Sequence, residues 1–269
     1  MNRIIVFALM FFCMTMQIEA QTLSEEEVTA KMYQAFELNK AAKKAEALEL
    51  FLIVGENTKQ QRNEGERQVY VCSQTMACQC YELLGRYKEG YLLGKSLLQG
   101  KLNDTERKDV GHLYAMNGYM YACEFIQRDE KGRADYKRGR ELISEILPYS
   151  DGQVKEYAET KIPLSWYFEG AQYAMTQSYD EALSSYEEAL NGFRDLGRVS
   201  EEVDVLSGIA SVKAHLCKFD EAKRVYYQAF VLAHQNGKVN KQMDVLRELW
   251  SLGNSTGDMK LIRSASASM

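Results

Sequence analysis

The sequence predicts an all-α chain of antiparallel helical hairpins packed side by side, and three observations carry that expectation. Proline is nearly absent, with two in 269 residues, and long stretches hold no glycine pair. That suits helices and argues against a sandwich or barrel, which needs frequent turns. Ala182, Ala222 and Ile262 stand 40 residues apart in turn, each behind a similar turn: Ser178-Tyr179-Asp180-Glu181, Lys218-Phe219-Asp220-Glu221 and Asp258-Met259-Lys260-Leu261. Finally, Trp166, Gly170 and Tyr173 share one helical face, and Ala182, Tyr186 and Ala189 share another after a short break. Two such stripes in succession bury each other as a hairpin.

From the N-terminus, Met1-Asn2-Arg3 is followed by an apolar run from Ile4 to Met16 and by Ile18-Glu19-Ala20. A basic start, an apolar centre and a small residue at the end describe a secretory signal over residues 1–20, cleaved between Ala20 and Gln21. An uncleaved membrane anchor and lipidation at Cys13 are the alternatives. The run is shorter than the ~20 residues that span a bilayer, and bulky Phe11-Phe12 precedes Cys13 where a lipoprotein signal has small residues. No later stretch is apolar enough to cross a membrane, so the mature chain, 21–269, is expected to be exported and periplasmic.

About six hairpins follow, at roughly 23–57, 66–100, 104–148, 152–195, 198–237 and 240–269. In the first, Ala35 faces Ala47, Phe51 and Val54. The second repeats the turn as Leu84-Gly85-Arg86-Tyr87, with Cys78 in the small-residue slot. The third carries a polar insertion, Gln127 to Gly132, before an apolar stripe of Leu142, Ile143 and Ile146 that Pro148 stops. Asp104, Asp151 and Ser200 are expected helix starters, since their side chains can accept a bond from a free backbone N–H. Pro163 predicts a kink or a fresh start. In the last hairpin Trp250 occupies the slot that should be small, which predicts adjusted packing. The Ser/Ala segment from Ser264 to Ser268 is either the polar cap of the array or a point beyond which the natural product continues.

The set Trp166, Gly170, Tyr173, Ala182, Tyr186 and Ala189, echoed by Tyr114, Gly118 and Tyr121 and by Ala222, resembles the tetratricopeptide repeat (TPR). The resemblance implies an α-solenoid with a right-handed superhelix and a concave groove lined by the first helix of each pair. Two departures matter: the period is near 40 rather than about 34, and Glu169 stands where that repeat has leucine. The resemblance places a partner-binding groove on His112, Ala115, Tyr119 and Cys123, then on Leu164, Tyr167, Ala171 and Met175. It continues on Asp204, Ser207, Ser211 and His215, and on Asp244, Arg247, Ser251 and Asn254. Tyr167 is expected there as a contact residue whose loss leaves the fold intact. An extended or helical peptide with an apolar anchor and a polar flank suits such a wall. Self-association of two copies is the competing use of the face.

Chemistry other than binding finds little footing. Net charge is −5, unchanged on removing Arg3 and Glu19, so there is no general attraction to nucleic acid. The basic run Lys137-Arg138-Gly139-Arg140 is expected on a solvated face. Five cysteines remain in the mature chain, an odd number without zinc-ligand spacing, which leaves room for one incidental disulfide and predicts no metal site. His112, His215 and His234 are far apart, and no phosphate loop or nucleophile motif appears. The expectation is a non-catalytic, cofactor-free exported scaffold for a protein or peptide. Its alternative, by analogy with exported arrays of this style, is the sensor portion of a bacterial signal-transduction protein.

Overall fold

A computed structural model of the chain describes residues 23–127 and 134–268. The leader, with its Cys13 alternative and the Ala20–Gln21 junction, lies outside the described residues, as does most of the polar insertion. The described residues form twelve α-helices and no strand. They pair in sequence: α1 (Glu25–Lys40) with α2 (Lys44–Thr58), α3 (Glu64–Leu83) with α4 (Tyr87–Leu98), and α5 (Asp104–Ile126) with α6 (Tyr136–Ile146). Next come α7 (Gly152–Met175) with α8 (Tyr179–Asp195), α9 (Val199–His215) with α10 (Phe219–Gln235), and α11 (Val239–Thr256) with α12 (Met259–Ser268). Pro148 sits in a 3-10 turn, Leu147–Tyr149, directly after α6. None of the described helices is long and apolar enough to cross a membrane.

The chain divides into two compact units, Met1–Asn117 and Gly118–Met269, with the boundary inside α5. In the first, Ala35, Ala47, Leu48, Phe51, Ala77, Cys80 and Tyr81 form a buried cluster, and Phe36 meets Phe51 edge-on at 5.5 Å. Cys78 is buried as a small apolar residue, and burial pushes its thiol up to about 12. All five described cysteines are free. Gly90 leaves room for the buried Asn117 side chain, whose amide donates to the Cys78 and Leu113 carbonyls.

In the second unit one continuous core runs from Ala182 on α8 to Ala265 on α12. Within this unit each hairpin packs on the next, as expected when each can bury only one side by itself. First helix α9 touches α7 and α11 directly, whereas among the described residues α8, α10 and α12 make no comparable contact with one another. Hairpins that converge on their first helices and part at their second curve with the first helices inside.

The hairpin turns share one backbone solution. Ala42, Gly85, Gln177, Cys217 and Gly257 adopt left-handed φ values of 60°, 70°, 62°, 58° and 71°. The next residue's N–H then bonds back into the helix, as in Ser178 to the Tyr173 carbonyl at 2.9 Å and Lys218 to the Lys213 carbonyl at 2.9 Å. This closes carbonyls that a helix end leaves open. A non-glycine side chain is strained there, so Gln177→Gly is expected to stabilise the protein by about 0.5–1 kcal/mol, net of glycine's extra unfolded-state freedom. Urea melts in which Gln177→Gly unfolds earlier than wild type would contradict this.

Several expectations need correction. Asp104 and Ser200 lie inside their helices. The cap of α5 is Asn103, which accepts from the Glu106 N–H at 2.9 Å while the Glu106 carboxylate accepts from the Asn103 N–H at 2.9 Å. Arg198, not Ser200, stands at the N-cap of α9, and Asp151 stands at the N-cap of α7 as expected, neither with a side-chain cap bond. Helix α7 runs unbroken through Pro163, with no fresh start. Its ring is buried against Gly192 of α8, where an added Cβ would lie 2.8 Å from the Pro163 Cβ. At Trp250 the adjusted packing is as expected: it holds the position that should be small and is 45% exposed. Ser266 stands in register where the inner hairpins carry Tyr186 and Tyr226. Gly253 takes over the close approach, with an added Cβ 2.9 Å from Ile262 Cγ1.

Candidate functional site

Two locks in the second unit hold its first helices in place. Tyr186 of α8 is buried between two glycines: an added Cβ would lie 2.8 Å from its ring at Gly170 on α7 and 2.9 Å at Gly208 on α9. One side chain thus fixes its own hairpin and the next. The other lock explains the departure at Glu169. Arg140 of α6 lies 3.3 Å from the centroid of the Trp166 ring, donates to Glu169 Oε2 at 2.8 Å and to Ser165 Oγ at 3.3 Å. The pair is largely withdrawn from water, with side-chain exposures of 11% and 17%. Arg140 is therefore a packing residue and not part of a solvated basic face.

The expected packing residues fall as follows. Ala182, Tyr186, Ala189 and Ala222 are buried in the core, Gly118 and Gly170 are buried, and Trp166 and Tyr173 are half-buried against the cluster. The expected groove residues divide more sharply. His112 and Ala115 belong to the first unit. Ala115 is fully buried and His112 is exposed beside Glu82, whose carboxyl is raised by burial and partly lowered by that imidazole. Cys123 is also buried, bonded to Tyr119, whose ring stacks on Tyr157 of α7 at 6.3 Å. Ala115 and Cys123 are thus core residues, whereas His112 and Tyr119 of the same row are exposed and half-buried.

On α7, Leu164, Tyr167 and Ala171 are half-buried on the core edge, and Met175 is 75% exposed. The Tyr167 ring lies 5.8 Å from Tyr186 and 5.7 Å from Phe168. Tyr167 therefore props the packing lock as well as facing outward, contrary to its expectation as a pure contact residue. Burial raises its phenol, with Asp204 adding to that and Lys241 opposing it. Asp204 of α9 takes both its oxygens to Lys241 of α11 at 2.6 Å, tying adjacent first helices together across the wall. Ser207 donates to the Val203 carbonyl at 3.0 Å, and Ser211 bonds Tyr226. Arg247 pairs with Asp244 at 2.6 Å, and Ser251 and Asn254 are exposed on α11. His215 lies at the end of α9, stacked on Tyr179 at 6.0 Å, which places it at a hairpin turn.

The structure thus brings Tyr119, Leu164, Tyr167, Ala171 and Met175 onto one wall, followed by the polar row of α9 and α11. Missing from the expectation were Tyr157 and Phe168, 48% and 38% exposed, and Lys161 between them. Their spacing along α7 was a legible signal. Among the described residues no three His, Cys, Asp or Glu side chains gather as a metal site.

The paired antiparallel helices and their side-by-side packing define an all-α helical-repeat fold of tetratricopeptide-like design. No protein-family model matches the sequence, and no curated protein matches it. Among solved structures the chain is similar to the apo form of RapI, at 15% identity and a TM-score of 0.34 over 89% of this chain and 81% of that one. It is also similar to a thermophilic TPR protein of Thermus thermophilus, at 14% identity and a TM-score of 0.30 over 81% and 96% of the two chains. The TPR2AB domain of yeast Sti1, in a pHSP90 complex, matches at 11% identity and a TM-score of 0.36 over 91% and 97%. The class rests on the hairpins themselves and not on these scores.

Proposed function

We propose that this protein is an exported, non-catalytic scaffold that holds a protein or peptide partner against the first-helix wall of residues 118–269. The observation that supports this best is the row of apolar side chains left uncovered on α7, an inner helix. Tyr157, Phe168 and Met175 stay open to water although the same helix buries Val154, Ala158 and Gly170. Apolar surface held open by a rigid stack is what an interface offers before it is filled. The ion pair Asp204–Lys241 and the hydroxyls of Ser207 and Ser211 give the wall its polar flank. Export rests on the leader-like residues 1–20.

A pull-down from the exported fraction with residues 21–269 identifies the partner. Phe168→Asp is then expected to weaken its binding at least tenfold, about 1.4 kcal/mol, with a melting temperature close to wild type. Wild-type affinity in that variant would remove the wall from the account.

A further inference from the structure

Six residues of α7, Tyr157, Lys161, Leu164, Phe168, Ala171 and Met175, succeed one another at spacings of four, three, four, three and four. That is the a/d pattern of a heptad seam, the surface one helix offers to another lying nearly parallel, and it does not fit an extended strand of period two. The seam runs about 27 Å at the helical rise of 1.5 Å per residue, so it takes a helix of about five turns. Five of its members are apolar. Lys161 is the exception, half-buried between Tyr157 and Leu164.

The cations on the inner helices α7, α9 and α11 show why Lys161 matters. Lys155 pairs with Glu159, Lys213 with Glu221, Lys241 with Asp204 and Arg247 with Asp244. Lys161 has no carboxylate partner among the described residues, and its electrostatic neighbour is the Cys123 thiol of α5. An ammonium set among apolar side chains loses hydration when that surface is covered, unless the covering molecule supplies the opposite charge.

We propose that the wall takes an amphipathic helix whose apolar seam carries one carboxylate, which pairs with Lys161. This rests on the wall's being the partner-binding face. The charge makes the site selective: an all-apolar helix buries Lys161 unpaired, and a helix with lysine at that place is repelled.

The test uses residues 21–269 and two labelled amphipathic peptides of about three heptads, with leucine at a and d and either Glu or Lys at the central a position. Fluorescence anisotropy is expected to show the Glu peptide bound about tenfold more tightly than the Lys peptide. Lys161→Glu is expected to reverse that order and Lys161→Gln to abolish the preference, with unchanged circular dichroism melts. Equal affinities, a preference that Lys161→Glu does not reverse, or no saturable binding up to millimolar peptide would overturn the proposal. If Phe168→Asp releases both peptides while Lys161→Glu reverses nothing, the carboxylate is wrong and the wall stands. If Phe168→Asp also leaves both bound, the wall falls too. Sedimentation showing a dimer that Phe168→Asp dissociates would instead make a second copy the occupant, and would overturn the proposal.

Discussion

Glu169→Ala is expected to destabilise the protein by about 3 kcal/mol, because it strands the guanidinium of Arg140 in a place largely closed to water. Arg140 lies over Trp166 and is held by Glu169 and Ser165, so the loss is felt where α6 meets α7, between one hairpin and the next. Surface pairs such as Arg138–Glu141, both well exposed, are worth about 1 kcal/mol or less, and their removal serves as a control. The double substitution Arg140→Met with Glu169→Leu is expected to recover most of the stability, since an apolar pair of similar volume avoids the desolvation of both ions. Urea denaturation followed by circular dichroism reads all of these. A Glu169→Ala midpoint indistinguishable from Arg138→Ala would show that the pair does not hold the hairpins together.

Gly170→Leu is expected to cost about 2–3 kcal/mol through overpacking. A Cβ alone at this position would lie 2.8 Å from the Tyr186 ring, which Gly208 of the next hairpin also approaches so closely that an added Cβ there would lie 2.9 Å from it. The diagnostic measurement is a double-mutant cycle. Tyr186→Ala by itself is expected to cost about 3–5 kcal/mol by opening a cavity. Combined with Gly170→Leu it is expected to cost clearly less than the sum, because the leucine fills what the ring vacates. Strict additivity in thermal melts would mean that the two residues do not share a space.

These two positions show what the sequence made legible and what it did not. Gly170 and Tyr186 were readable because a small residue and a large one recur at fixed helical spacing, and spacing is a property of one chain segment. The turns before Ala182, Ala222 and Ile262 were readable for the same reason. The role of Glu169 was not, because its partner lies in another hairpin 29 residues away, and no local pattern links a carboxylate on α7 to a guanidinium on α6. At Trp250 register identified the slot and the need for adjusted packing, but not that Gly253 makes the close approach to the second helix instead.

The candidate site was legible in part. Of the groove positions copied from the repeat register, the structure leaves Tyr167 and Ala171 half-buried and Met175 exposed, and it buries Ala115 and Cys123. Tyr157 and Phe168 were missed because the first lies about two turns before the expected positions and the second one residue beside them. The heptad spacing from Tyr157 to Met175 could have shown them without any structure.

The most direct test of the central claim places a photoreactive phenylalanine analogue at position 168 on the inner wall and, separately, at position 231 on the outer face of α10. Val231 is also an exposed apolar residue, so it controls for stickiness alone. Irradiated in the exported fraction, the 168 variant is expected to give a discrete covalent adduct that the 231 variant does not give. An adduct from position 231 alone, or the same adduct from both, would contradict the assignment of partner binding to the first-helix wall.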